Sequence, residues 1–320
     1  MREMPRYHRL AFLGAALSSG LLQRLAKGPV PLEVLAAELN VASSMQEGLE
    51  AWLELGVAIG ELRTSPEGYS LRGRLSRDLC NNINDAAAAF VQEVVMTHHH
   101  LITRSLERLR QGSGFTLADQ DGQLVARASQ LAEPFICEAL DAVLPRRGPI
   151  LLFEIGCGTA AYIRHAATRN PELTAVGLEL QPPVAELATA NISQWKLASR
   201  VVIETGDVLE RSPKPVFDIA TLHQNIYYFP VKRRVSVLRH VSGFLRPGGR
   251  LLLTTYCRGR GLGAALLNLW ATTTEGCGRL PTTAEMAGQL ADAGFLQISR
   301  RSLIPGESLH AFVGTTRGED

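Results

Sequence analysis

Two kinds of hydrophobic spacing divide this chain. Over the first eighty or so residues apolar positions recur at helical intervals. After a short amphipathic stretch from Leu21 to Ala26, Gly28-Pro29-Val30-Pro31 breaks the pattern. Leu32, Leu35, Ala36 and Leu39 then fall at i, i+3, i+4 and i+7, which predicts a second helix. Asn40 closes it, and Ser43 or Ser44 can cap a third, which is expected to turn Leu49, Trp52, Leu53 and Leu55 inward. Two short strands, Val57 to Leu62 and Tyr69 to Leu71, are expected to join across Ser65-Pro66-Glu67-Gly68. Three helices and a hairpin predict a winged-helix-like unit over residues 1–84. Mixed-polarity helices from Asp85 to about Val143, interrupted near Gly112-Ser113-Gly114, predict a helical linker over 85–147 that roofs the site of the following part. Beyond Pro145-Arg146-Arg147-Gly148-Pro149 short apolar runs alternate with amphipathic helices. That alternation predicts βαβ units and a parallel sheet over 148–320.

Composition changes the meaning of the first part. The 320 residues, 46% hydrophobic and 20% charged, suit a soluble protein of two domains with a sizeable core. A winged helix suggests DNA contact, yet the net charge is only +2. From Gly28 through Leu62 there is no Lys or Arg against six Glu, and the would-be recognition helix carries Glu47, Glu50 and Glu54. Phosphates would repel it. A packing or dimerisation module is therefore expected, with a DNA-binding regulator as the alternative of another class. Five scattered cysteines without a C-x-x-C pair fit a reducing compartment. Arg2, Arg6 and Arg9 ahead of Leu10 to Leu22 imitate a secretion signal, but Ser18-Ser19-Gly20 interrupt the run. No stretch reaches the roughly 18 apolar residues that a membrane span needs. The expectation is a cytoplasmic protein with neither nucleic acid nor membrane as partner.

The sharpest chemistry lies at Ile150-Leu151-Leu152-Phe153-Glu154-Ile155-Gly156-Cys157-Gly158-Thr159-Ala160, an apolar run ending in a glycine loop that opens a helix. Glycine lets the chain turn sharply and lets a ligand approach the backbone. By itself the string also fits a nicotinamide dinucleotide site. Four further features separate the two. Glu154, two residues before Gly156, suits a cationic ligand and disfavours a pyrophosphate. Ala175-Val176-Gly177-Leu178-Glu179 ends a second strand in a carboxylate able to accept ribose hydroxyls. Val201 to Glu204, followed by Gly206-Asp207, sets an acceptor where an adenine amino group would lie. Leu245-Arg246-Pro247-Gly248-Gly249-Arg250 then leads into the strand Leu251 to Thr255. Each residue also has a bland reading, since such glycines serve chain geometry and Asp207 can cap a helix. Chain packing alone gives no reason for carboxylates at three successive strand ends.

In this order and spacing the motifs resemble the class I S-adenosylmethionine-dependent methyltransferases over residues ~148 to 320. The resemblance implies an α/β, Rossmann-like, seven-stranded sheet whose last strands, Leu296 to Arg301 and Leu309 to Gly314, form an antiparallel hairpin. It implies S-adenosylmethionine as cofactor and S-adenosylhomocysteine as product. Gly156 and Gly158 would pass under the methionine moiety. Glu154 would face its ammonium, Glu179 with Leu180 its ribose, and Asp207 with Val208 its adenine. Ala160 stands where many members have a third glycine, and modest crowding is expected there. The whole chain is similar to a narrower group, the small-molecule O-methyltransferases of secondary metabolism, which join a winged-helix dimerisation domain to the catalytic one. Arg279-Leu280-Pro281-Thr282-Thr283-Ala284-Glu285, leading to Ala293-Gly294-Phe295, carries that likeness. It implies a homodimer and a small-molecule acceptor methylated on O, with N or C as alternatives.

The acceptor side departs from that group's pattern. Its catalytic His would fall at Tyr227, and His223 lies one turn earlier, where cofactor is usually touched. Either His223 is the base, or Tyr227 orients the acceptor, or no side-chain base is needed. Trp270, Met286 and the linker, through His99, are expected to line an apolar pocket. His98-His99-His100 point about 100° apart on a helix and cannot all bind one ion. No metal is expected, with a metal-assisted C-methyltransferase or another reaction on the same fold as the alternative.

Overall fold

The computed structural model describes residues 3–318. It divides into two compact units, Met1–Arg104 with Arg127–Leu131, and Ser105–Ala126 with Ala132–Asp320.

In the first unit α1 (Met4–Ser18), α2 (Leu21–Leu25), α3 (Leu32–Glu38) and α4 (Gln46–Ala58) precede a hairpin of β1 (Leu62–Ser65) and β2 (Gly68–Leu71). The signal-like run is spent on a core: Phe12, Leu13, Ala16 and Leu17 of α1 are buried with Leu21, Leu22, Leu35 and Leu53. Glu61 is buried as well; it pairs with Arg9 and accepts the Ser76 backbone N–H at 3.0 Å, which ties the hairpin to α5 (Arg74–Leu79). The other five acidic residues of that stretch are not buried. Two expectations fail here. Val57 continues α4, and the strand begins only at Leu62, because an apolar run this short fits either period until its neighbours decide it. Leu55 is exposed rather than inward. Then α6 (Asp85–Glu93), a wider helical turn over Val94–His98, and α7 (His99–Gln111) follow.

In the second unit, α8 (Gly122–Ala128, through Ala126) and α9 (Glu133–Asp141) precede the sheet. Its strands are β3 (Ile150–Ile155), β4 (Leu173–Glu179), β5 (Val201–Thr205), β6 (Phe217–His223), β7 (Leu245–Tyr256), β8 (Leu296–Ser302) and β9 (Leu309–Thr315). The order is β5-β4-β3-β6-β7-β9-β8, with β9 antiparallel to both neighbours, so the expected seven-stranded sheet and its closing hairpin are present. Helices α10 (Ala161–Arg169), α11 (Pro182–Gln194), α12 (Arg234–Ser242), α13 (Leu262–Thr273) and α14 (Thr283–Asp292) complete the unit. Alternation gives the sheet two apolar faces. Leu152, Ala175, Ile219 and Leu252 meet Ile163 and Ala166 of α10 on one face. Phe153, Ile155, Leu222 and Leu253 meet Leu238 of α12 and Met286 of α14 on the other. Met286 is thus wholly buried in a core, not available to a pocket as expected, since its helix turns that side to the sheet. No helix among the described residues is long and apolar enough to cross a membrane.

Candidate active site

The parallel register aligns the strand ends. Glu154 of β3 lies opposite Gly177 of β4 and Thr221 of β6, and His223 lies opposite Thr254 of β7. Because side chains alternate, Glu154, Glu179, Thr221, His223 and Thr254 all leave the face shared with Leu152 and Ile219. That is the carboxyl edge of four adjacent strands, where open α/β sheets bind ligands.

The glycine loop has reasons of its own. Gly156 and Gly158 both take positive φ, +68° and +54°. A Cβ on Gly156 would meet the Asn225 Nδ2 at 2.6 Å, and that amide donates to the Ile155 carbonyl at 2.6 Å. The N–H groups of Gly156 and Cys157 donate to the Leu178 carbonyl, so β4 holds the turn. Ala160, the expected point of crowding, is constrained instead by its backbone: φ is +64°, in the left-handed region, at the start of α10.

Glu154 precedes this loop, Glu179 bonds to it, and Asp207 follows the next strand. Glu179 accepts the Gly158 N–H at 3.0 Å and the Gln181 N–H at 3.1 Å, which fixes it at the tip of β4. Gly206 N–H donates to the Glu179 carbonyl, which brings Asp207 to the neighbouring tip, where its Oδ1 accepts from Leu209 N–H. Beside Glu179 the large apolar Leu180 is exposed, while Val208 is buried. Gly122 packs against the Gln181 side chain, and Ala126 lies 4.0 Å from a Cβ placed on Gly158, so this end of α8 flanks the same loop.

Glu154 is the anomaly. It is 1% exposed, and neither carboxylate oxygen has a hydrogen-bond partner. Burial, with the Glu179 charge nearby, pushes its carboxyl well above the usual range. An isolated buried carboxylate is costly unless a cation reaches it. The orphaned atoms continue along the edge: the Thr221 Oγ1, the His223 Nε2 and the Tyr162 hydroxyl are also buried without partners. Tyr162, on α10, sets its ring 4.7 Å from that of His223. The His223 Nδ1 meets the Thr254 Oγ1 at 3.0 Å, and burial depresses the imidazole to about 3. Burial raises the Tyr162 phenol well above its ordinary value. Both rings are neutral at physiological pH.

Residues 153–251 match the family model described as "Methyltransferase domain". The match runs from β3 into β7, within the seven-stranded sheet. The matched stretch is a methyltransferase domain. Over 119 residues the chain is 30% identical to 27-O-demethylrifamycin SV methyltransferase of Amycolatopsis mediterranei (strain S699), across 37% of this chain and 43% of that relative's length. Over 319 residues it is 27% identical to 3-amino-4-hydroxybenzoate 4-O-methyltransferase of Streptomyces cremeus, across 94% of this chain and 85% of the relative. The solved structure of mitomycin 7-O-methyltransferase superposes with a TM-score of 0.76 at 19% identity, covering 96% of this chain and 94% of that one.

Past His223 the methyltransferase domain builds an aromatic wall. The Tyr227 ring lies 5.2 Å from Tyr228 and 6.0 Å from Trp270 of α13, and Tyr228 lies 5.2 Å from Trp270. Tyr227 and Trp270 are both buried. His99 belongs to the first unit, where its exposed ring lies 6.0 Å from that of Tyr7. Among the described residues no group of three or more His, Cys, Asp or Glu converges as for a metal ion. Sequence reasoning missed Tyr162, Thr221, Asn225 and Thr254. Their roles come from strand register and helix stacking, which no local string announces.

Proposed function

We propose that this chain is an S-adenosylmethionine-dependent methyltransferase acting on a small molecule, with oxygen as the favoured acceptor atom. The observation that carries the reading is the buried Glu154, unpartnered at the foot of a glycine loop, with Glu179 at the tip of the neighbouring strand and Asp207 after the next. These groups fit the cofactor in kind: Glu154 would face its ammonium, Glu179 and Leu180 its ribose, Asp207 and Val208 its adenine, with Gly156 and Gly158 giving close backbone approach. When bound, the cofactor supplies an activated sulfonium methyl group.

The chain's own part is alignment, which can equal an effective molarity of about 10⁵ M or more. Tyr227, Tyr228 and Trp270 offer flat apolar surfaces to an aromatic acceptor. His223, held neutral by burial, is a weak base; it suits a role beside the cofactor better than proton removal. The acceptors favoured by this site are therefore those that ionise unaided, such as acidic phenols, with Tyr227 orienting them. The helices and hairpin of the first unit are read as a winged-helix dimerisation module, and Glu47, Glu50 and Glu54, exposed on α4, argue against nucleic acid. Five free thiols support a reducing, cytoplasmic setting.

The test is incubation of the full chain with S-adenosylmethionine and a panel of hydroxylated aromatic compounds, read by mass spectrometry. S-adenosylhomocysteine and an acceptor heavier by one methylene are expected. Acceptors consumed with any other mass change would contradict the reading.

A further inference from the structure

Arg234 is the largest fully buried side chain among the described residues, 0% exposed at the start of α12. It makes no ion pair among the described residues. Instead its guanidinium donates to three backbone carbonyls: Nε to Phe229 at 3.1 Å, and Nη2 to Gly278 at 2.8 Å and Arg279 at 2.7 Å. These carbonyls belong to two separate segments, the aromatic stretch Tyr227-Tyr228-Phe229 and the connection after α13. The Gly278 N–H donates back to the Tyr227 carbonyl at 2.9 Å. The two segments meet too closely for a side chain, since a Cβ on Gly278 would lie 2.9 Å from the Val231 nitrogen, 3.0 Å from the Phe229 oxygen and 3.1 Å from Nη2 of Arg234.

Burying a guanidinium is expensive, and burial lowers it to about 10. A packing role alone would be filled at less cost by an apolar side chain of similar volume. What only a planar fork supplies is simultaneous donation to carbonyls from two strands of chain. The stretch it grips is anchored at its other end by Asn225, whose amide binds the Ile155 carbonyl at the glycine loop. Arg279, whose carbonyl is gripped, in turn holds Glu285 with two hydrogen bonds of 2.9 and 2.6 Å.

We infer that Arg234 is a positioning residue that staples the aromatic wall to the end of the Trp270 helix and so sets the geometry in which acceptor is held. This rests on the acceptor-site reading of Tyr227 and Trp270 given above. Arg234 touches neither cofactor nor acceptor, so its loss should separate the two binding events.

The experiment compares wild type with Arg234→Met, Arg234→Lys and Gly278→Ala in the full chain, using S-adenosylhomocysteine as the cofactor probe and an acceptor from the hydroxylated aromatic panel. Amide exchange at Tyr228, Phe229 and Gly278 is expected to quicken at least about tenfold in Arg234→Met, with the amides of β3 and β4 unchanged. The acceptor KM should rise about tenfold or more while S-adenosylhomocysteine affinity stays within roughly twofold. Arg234→Lys, which keeps charge but loses the fork, should fall short of rescue. Should Arg234→Met not fold, Gly278→Ala, pressing on the same junction from the other side, should show the same split. A folded Arg234→Met or Gly278→Ala variant with wild-type KM overturns the staple. Equal losses of cofactor and acceptor binding overturn it too, by exposing a merely structural role. A wild type that binds S-adenosylhomocysteine yet methylates no acceptor overturns the underlying functional reading instead.

Discussion

At the scale of single residues, Glu154 behaves as two different groups depending on what lies beside it. Its folded pKa is raised, so the native state retains a proton that the unfolded chain gives up near the ordinary carboxylate value of 4.5. The sign follows: the unfolded state binds fewer protons across that window, so native stability falls as pH climbs above the ordinary carboxylate range. A cationic ligand favours the ionised carboxylate and pulls the pKa down. Ligand binding should then release a proton, and affinity should rise with pH. Calorimetry of S-adenosylmethionine in buffers of different ionisation heat, at pH values above the ordinary carboxylate range, should show net proton release for wild type and none for Glu154→Gln. Equal proton release by both proteins would remove Glu154 from the cofactor site. Glu154, Glu179, Asp207 and the two glycines were legible in the sequence because each sits in a local string whose backbone fixes its place. Tyr162 was not: its contact with His223 depends on how α10 seats on the sheet.

At the scale of elements, the join between β3 and α10 stores strain. Ala160 occupies left-handed backbone, which costs an L-residue about 1–2 kcal/mol, offset in part by the chain entropy that glycine would lose. Ala160→Gly should therefore stabilise the fold by about 0.5 kcal/mol, read as a small rise in Tm. A loss of about 1 kcal/mol or more would mean that the buried methyl group matters more than the dihedral angle. The sequence pointed to crowding here because a missing glycine is visible in a string and a φ angle is not. Similar limits explain the other misreadings. Val57 and Leu55 belong to an apolar run long enough to feed a helix or a strand, and only the hairpin pairing from Leu62 decides it. Met286 looked available because it lies in a recognised motif, yet the capping box of Thr282 and Glu285 turns its helix so that Met286 faces the sheet. The ends of β3 and β4, by contrast, were readable, since apolar runs ending in glycine or a carboxylate leave few alternatives, whereas β7 begins at Leu245, ahead of the glycine pair expected to precede it.

At the scale of the whole molecule, the chain forms two compact units. The second carries every carboxylate and every unpartnered buried polar atom of the crevice, and its strand order sets them along one edge. The first is helical and presents Glu47, Glu50 and Glu54 on its fourth helix, a poor surface for phosphates. The central claim is that the edge formed by β3, β4 and β5 receives the adenosyl amino acid shared by S-adenosylmethionine and S-adenosylhomocysteine. Titration calorimetry of S-adenosylhomocysteine against wild type and Glu179→Ala tests it most directly. Saturable binding to wild type, weakened at least about tenfold in Glu179→Ala, or about 1.4 kcal/mol, is the predicted result. Equal affinity in the two proteins, or no binding to wild type, would contradict it.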